Sequence, residues 1–270
     1  MGYFYFFAAL LFSFHLQAQD LQSLEWVDDG SVDFSALDFQ PDNVKYSGLQ
    51  GSFRIALTFD DGPSSTTPAL LDLLKEEGVP ATFFLVGQNA KNNREILRRM
   101  NEDGYIIANH SKTHPQLNDK YVKNPAALID QIAFTHRVTK PFFQPTQRWY
   151  FRAPYGLWRK QHAKVLNADQ ELRKYIGPIY WDIGGNTVQS NKGALLASAD
   201  WDCWRRGWSA DRCADGYISE ARRRQGGVVL MHDLNPKTIG LVRSFIRSLK
   251  AEGYKFITLD EIKAYDDLEI

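Results

Sequence analysis

From residue 54 onward, short apolar runs alternate with amphipathic stretches along the chain. Residues 55–59 form the first run and predict a buried strand. Thr67 and Pro68 then open a helix carrying Leu70, Leu71, Leu73 and Leu74 on its apolar face and stopping at Gly78. A Thr cap, a Pro in the first turn and a Gly at the end are the helix punctuation that local backbone chemistry favours. Residues 81–86 predict a second strand. Residues 93–103 predict a helix with Ile96, Leu97 and Met100 on one side, ended by Gly104, and residues 105–108 a third strand. Further helices are predicted over 125–138, 161–172, 192–201, 213–224 and 238–252, and further strands over 149–151, 179–183, 228–231 and 255–257. This β–α order gives an α/β fold with a parallel sheet, open or closed into a barrel. No repeat of solenoid length is present.

The first residues break the pattern. Residues 4–14 are almost wholly apolar and are followed by Leu16-Gln17-Ala18. This predicts a secretory signal over 1–18, cleaved after Ala18, and hence a periplasmic or secreted protein without a transmembrane domain in its mature form. The run is shorter than the roughly 20 residues that span a bilayer, and an uncleaved anchor is the alternative. The region has no Cys, which excludes a Cys-directed lipoprotein. Residues 19–52 are polar without a period and predict an extended arm; the domain proper is expected over 53–270.

Composition supports one substantial domain. The chain has 270 residues, 44% of them apolar, with 17 Phe, 12 Tyr and 7 Trp to fill a core. Lys plus Arg equal Asp plus Glu at 32 each, so nothing favours capture of nucleic acid or of an anionic membrane. A monomer is expected. Cys203 and Cys213 are expected to pair in an exported protein.

Chemistry gathers where the predicted strands end. Asp60 and Asp61, His110, Arg152, Asp182 and His232 all follow apolar runs. In parallel β/α folds that edge is where ligands and reactions collect. His110 and His114 are spaced to chelate one metal ion. Position 111 is Ser, so the Glu of a zincin helix is absent and a general base must come from elsewhere. One Asp of the pair would complete an Asp-His-His set suited to Zn²⁺, with Co²⁺ or Ni²⁺ chemically possible. The other could take a proton from water activated by the ion.

Thr58-Phe-Asp-Asp-Gly-Pro, His110-x3-His114, Arg152-Ala-Pro-Tyr-Gly and Leu230-Met-His232-Asp occur here in the order of the polysaccharide deacetylase family. The chain thus resembles the NodB-homology domain, carbohydrate esterase family 4, over about residues 53–259. The resemblance implies a distorted (β/α)7 barrel and metal-dependent removal of acetyl groups from N-acetylated glycans. It implies that Asp60 is the general base, Asp61, His110 and His114 the metal ligands, and Arg152 the arginine that holds the base. It implies that Pro154 and Tyr155 are groove residues, with the Tyr155 N–H an oxyanion donor. His232 is implied as general acid, with Leu230 lining the acetyl pocket. Peptidoglycan is the first expected partner, then chitin or chitooligosaccharide; acetylated xylan and a non-catalytic glycan-binding module are the alternatives.

The fourth family motif, Asp-x-x-Asp-Trp, is not intact. The chain reads Trp181-Asp182-Ile-Gly-Gly-Asn-Thr, and an insertion with Trp201, Trp204, Trp208, Asp200 and Asp202 follows. Asp182 is the expected partner of the acid, since it ends a predicted strand; Asp200 and Asp202 stay open. Trp201 or Trp204 is expected either to stack on a sugar or to pack the insertion. His136 and His162 have no motif context.

Overall fold

The computed structural model describes residues 43–266; the expected signal over 1–18 and most of the expected arm lie outside the described residues. The elements follow in the order β1 (Arg54–Asp60), α1 (Thr67–Glu77), β2 (Ala81–Leu85), α2 (Gly87–Asn92), α3 (Arg94–Glu102), β3 (Ile106–Asn109), α4 (Asp119–Lys123) and α5 (Pro125–Thr139). Then come β4 (Trp149–Tyr150), α6 (Lys160–Asn167), β5 (Tyr175–Ile176), β6 (Val188–Gln189), β7 (Leu195–Ala197), α7 (Asp200–Arg205), α8 (Ala210–Arg224), β8 (Gly227–His232), α9 (Lys237–Ala251) and β9 (Lys255–Phe256).

Four parallel strands in the order β3-β2-β1-β8 form the wall that carries the site, and β9 pairs with the start of β1. β4 and β5 pair in parallel. Single bridges join Asn109 to Phe151 and Ile183 to Val229, so the sheet curls round and meets itself. The result is a distorted barrel. The described end of the arm is laid against it: the Lys45 N–H donates to the Pro178 carbonyl and the Tyr180 N–H to the Lys45 carbonyl, each at 2.8 Å.

Side-chain alternation explains how the wall is filled. Ile55, Leu57 and Phe59 on β1, Phe83 and Leu85 on β2, Ile107 on β3, and Val229 and Met231 on β8 pack outward with Leu70, Leu74, Leu241 and Phe245 of the surrounding helices. Ala56, Phe84, Ile106, Ala108, Val228 and Leu230 pack inside. Both faces are buried, hence the near-continuous apolar runs. Asp60 and His232 share the inward parity of Ala56 and Val228 and stand in register as a directly opposed pair.

Two predicted elements differ. Residues 192–201 form no continuous helix. β6 and β7 make an antiparallel hairpin turned at Gly193 (φ +80°), and helix begins only at Asp200. Leu195 to Ala197 is too short an apolar run for its period to be read, and cross-strand pairing with Val188 and Gln189 decides it. The predicted strand over 179–183 is irregular, bridging at Ile179 and Ile183 alone. Cys203 and Cys213 form a disulfide that ties α7 to α8.

Gly184 is where this segment comes closest to the wall. A Cβ there would lie 2.3 Å from the Leu230 carbonyl oxygen and 2.5 Å from the Tyr217 ring, at φ +91°. Neither neighbour can yield, because the Tyr217 hydroxyl donates to that same carbonyl at 3.0 Å. Gly184→Ala is expected to cost about 2–4 kcal/mol from strain and overpacking together. The midpoint of urea unfolding measures it, and a midpoint equal to that of the parent would contradict the packing described.

Candidate active site

Asp60 and Asp61 are neighbours in sequence and opposites in environment. Asp60 is the last residue of β1, 2% exposed, and points into the barrel. Its Oδ1 accepts from Arg152 Nη1 at 2.7 Å. The same Nη1 reaches Thr58 Oγ1 at 2.8 Å, two residues back on the same face of β1. Arg152 is fully buried: its Nε donates to the Ile179 carbonyl at 3.0 Å, and its guanidinium lies 4.1 Å from the Phe84 ring centroid. Asp60 therefore has a buried cation on one oxygen while its Oδ2 faces the pocket, 3.6 Å from His110 Nε2.

Asp61 stands beyond the strand with φ +74°. This turn swings its carboxylate toward the imidazoles instead of the barrel interior. Asp61 Oδ1 lies 3.2 Å from His114 Nε2 and 3.5 Å from His110 Nε2. Oδ1 is buried and has no hydrogen-bond partner among the described residues. One ligand atom from each of Asp61, His110 and His114 lies within 4.8 Å of the others. His110 Nδ1–H donates to the Arg152 carbonyl at 2.8 Å, which turns its Nε2 toward Asp61. Burial, with His110 adding to it, pulls the His114 pKa down to about 4, so that imidazole stays neutral. Burial works to raise the Asp61 pKa, but His232, His114 and His110 together hold it below the usual value. A buried orphan carboxylate oxygen facing two imidazole nitrogens is a donor set that fits a divalent cation.

The loop between the two histidines is held from outside the barrel. Asn109 has the outward parity of β3. Its Nδ2 donates to the Ile132 carbonyl at 2.9 Å and to the Tyr175 hydroxyl at 3.2 Å, and its Oδ1 accepts from the Ser111 N–H at 2.9 Å. Ser111 Oγ in turn accepts from the His114 N–H at 3.1 Å. Ser111, His114, Asp61 and Tyr155 all have positive φ (+66°, +56°, +74° and +56°). Four non-glycine residues in that region at one site mark a backbone held against its own preference.

His232 ends β8 on the far side of the pocket. Its Nδ1–H donates to Asp200 Oδ1 at 2.8 Å, and its backbone N–H donates to Asp200 Oδ2 at 2.7 Å. Asp200 is fully buried at the start of α7, and its own N–H donates to the Tyr217 hydroxyl at 3.0 Å. Burial acts to lower the His232 pKa, but the Asp200 carboxylate, with Asp61 and Asp60 adding to it, raises the value to about 10. His232 is thus an imidazolium at neutral pH, with its Nε2 4.0 Å from Asp61 Oδ2.

The pocket is walled by Asp60, Asp61, His110, His114, Ala153, Tyr155, Trp181, Trp201, Leu230 and His232. Pro154 is buried and is not among the residues that line the pocket. Asp182, expected beside His232, lies elsewhere. Its Oδ2 accepts from Ser47 Oγ at 2.6 Å and from the Val228 N–H at 2.8 Å, near the start of β8, whereas His232 ends that strand. The irregular segment over 179–183 meets β8 near its beginning, so the end of that predicted run is not at the site edge. The carboxylate beside His232 is Asp200, followed by Trp201. An Asp-Trp dipeptide of the kind the family motif carries thus stands beside His232, after the β6–β7 hairpin. That dipeptide was the available signal. Trp181 and Asn109 carried none beyond ordinary core and loop chemistry.

Residues 49–170 match the family described as Polysaccharide deacetylase. A chitooligosaccharide deacetylase from Bradyrhizobium is 31% identical over 195 residues, covering 71% of this chain and 75% of that relative. Peptidoglycan-N-acetylglucosamine deacetylase PgdA from Listeria monocytogenes is 30% identical over 218 residues, 77% of this chain, but the chain spans only 38% of that protein's length. Among solved structures, the family 4 carbohydrate esterase from Streptomyces lividans in complex with acetate aligns with a TM-score of 0.56 and 29% identity, covering 74% of this chain and 89% of that one. The chain belongs to the polysaccharide deacetylase family.

Two measurements test the geometry. Replacing His114 by Ala is expected to abolish retention of divalent metal on dialysis, read by elemental analysis; unchanged stoichiometry would contradict the ligand set. The second concerns His232, whose pKa stands at about 10 against an ordinary 6.5. The stabilisation its pair with Asp200 gives the fold is complete below pH about 6.5 and is lost as pH rises through about 10. Asp200→Asn should therefore move the His232 titration, followed by NMR, to lower pH, while Asp182→Asn leaves it in place. The reverse pattern would restore Asp182 as the partner.

Proposed function

We propose that this chain is a metal-dependent deacetylase that hydrolyses N-acetyl groups of an extracytoplasmic glycan, with peptidoglycan the first substrate class. The observation that carries this reading is the division of the Asp pair: Asp61 Oδ1 is an orphan between two imidazoles, whereas Asp60 is held on a buried arginine. Sequence neighbours with such different surroundings suit two different tasks. Asp61, His110 and His114 would hold the ion. Two imidazole nitrogens and one carboxylate suit Zn²⁺, and Co²⁺ or Ni²⁺ also fit. Such an ion supplies Lewis-acid polarisation of the acetyl carbonyl and acidifies water.

The remaining steps fall to the chain's own groups. Asp60, held on Arg152 through Oδ1, accepts the proton of the attacking water through Oδ2. The Tyr155 N–H donates to the oxyanion that forms. His232 Nε2–H gives its proton to the leaving nitrogen, and Asp200 stabilises the imidazolium before that transfer. Leu230 and Trp181 bound the space for the acetyl methyl, and Trp201 offers a ring face to the sugar. The expected signal over 1–18 would deliver the enzyme to peptidoglycan. An intact set of Asp60, Asp61, His110, His114 and His232 speaks against a module that binds glycan without turnover.

The test is acetate release from peptidoglycan, chitooligosaccharide and acetyl-xylan by the metal-loaded protein. Acetate from the N-acetylated glycans is expected, lost on chelation and restored by Zn²⁺. Release from acetyl-xylan alone would overturn the amide reading. Glycan binding without release from any substrate would point to a binding module.

A further inference from the structure

Every backbone N–H from His110 to His114 is tied down, and several of the ties lead to α5. The His110 N–H donates to the Leu85 carbonyl at 3.0 Å and the His114 N–H to Ser111 Oγ at 3.1 Å. The Lys112 and Thr113 N–H groups both donate to Gln131 Oε1 on α5, each at 3.1 Å. The Ser111 N–H donates to Asn109 Oδ1, and Asn109 Nδ2 reaches the Ile132 carbonyl on the same helix. His136 lies one helical turn beyond Ile132 and so faces the same strands. The site chemistry leaves this histidine unused, although it is only 2% exposed.

Counting hydrogens gives this network one direction. Asn109 Nδ2 has two: one goes to the Ile132 carbonyl, the other to the Tyr175 hydroxyl at 3.2 Å. Tyr175 is fully buried on β5, and burial pushes its pKa up, so the hydroxyl keeps its proton. Having accepted from Asn109, that hydroxyl donates to His136 Nδ1 at 2.8 Å. His136 must then carry its hydrogen on Nε2, which stands 3.3 Å from Glu171 Oε1 but out of line for a hydrogen bond. Burial, beside the Trp149 ring, pulls the His136 pKa down against the pull of Glu171, so the ring is neutral. A buried histidine is ordinarily a packing residue whose polar atoms happen to be satisfied. Here its Nδ1 is the acceptor for a buried hydroxyl that also holds Asn109. Without it, an unpaired polar group would sit next to the side chain that fixes Ser111.

We propose that His136 is a positioning residue for the metal loop: through Tyr175 and Asn109 its Nδ1 fixes Ser111, and with it the placement of His110 and His114, so that affinity for the ion depends on a hydrogen-bond acceptor at that atom. The inference rests on the reading of Asp61, His110 and His114 as metal ligands. Groups that orient a metal ligand directly are worth about 10- to 100-fold in affinity. His136 acts from further out, through two intervening side chains, and its effect is correspondingly smaller.

Competition with a chromophoric chelator measures the Zn²⁺ dissociation constant of the full chain and its variants. Tyr175→Phe keeps the ring and removes the hydroxyl, and His136→Leu removes the acceptor; each is expected to weaken Zn²⁺ binding roughly three- to tenfold. His136→Asn sets an amide oxygen near the place of Nδ1 and is expected to stay within about twofold of the parent. Leu249→Ala truncates the core in the last turn of α9, and is expected to lower the urea midpoint without changing Zn²⁺ affinity. Unchanged affinity in Tyr175→Phe, equal losses in His136→Leu and His136→Asn, or a like loss in Leu249→Ala would overturn the assignment. Nitrogen NMR of His136 in the metal-free chain reads the network without the ion: a proton on Nε2 alone at neutral pH is expected, and a proton on Nδ1 would overturn it. A parent chain that binds no Zn²⁺ would defeat the ligand reading and the proposal with it, whereas failure in the variants alone leaves the ligand reading standing.

Discussion

The buried pair of Arg152 and Asp60 is the constraint on which the rest of the site depends. Arg152 is fully enclosed in the barrel, and its charge is balanced by the Asp60 carboxylate at 2.7 Å. Removing one partner of such a pair strands the other in a medium that solvates it poorly, at a cost of about 3–5 kcal/mol. The same residue acts through its backbone, since its carbonyl accepts from His110 Nδ1 at 2.8 Å. One arginine thus positions the proposed base with its side chain and orients a proposed metal ligand with its main chain. The two halves of the site cannot move independently.

Strand parity and backbone conformation turn this anchor into chemistry. The inward face of β1 delivers Asp60 to Arg152, and the positive φ of Asp61 carries the next carboxylate out of that face. Across the pocket, His232 shares the inward parity of β8 and meets an acid that comes from helix α7. The disulfide between Cys203 and Cys213 and the Tyr217 hydroxyl place that acid, so a segment outside the regular β–α alternation completes a site built on it.

Much of this was legible along the chain. The strand runs around Asp60 and His232 are continuous because both faces are buried, and Pro68 and Gly78 mark the ends of α1, although Thr67 is its first residue and donates to Asp233 instead of capping it. Asp61, His110, His114, Tyr155, Leu230 and Trp201 all reach one pocket. Illegible was whatever depends on contacts distant in sequence. Leu195 to Ala197 becomes a strand only because Val188 and Gln189 lie opposite. Asp182 ends an apolar run, yet it meets Ser47 from the arm and Val228 at the beginning of β8, a pairing no local pattern encodes. Asn109 reads as a residue before a histidine, and its hold on the ligand loop needs Ile132 and Tyr175 brought beside it.

The central claim is that adjacent aspartates are divided by their surroundings, Asp61 to hold the ion and Asp60 to move a proton. The most direct measurement compares metal content and acetate release in Asp60→Asn and Asp61→Asn. The account predicts that Asp60→Asn retains its metal and loses turnover, while Asp61→Asn loses both. Full turnover in Asp60→Asn, or metal kept by Asp61→Asn and lost by Asp60→Asn, would contradict it.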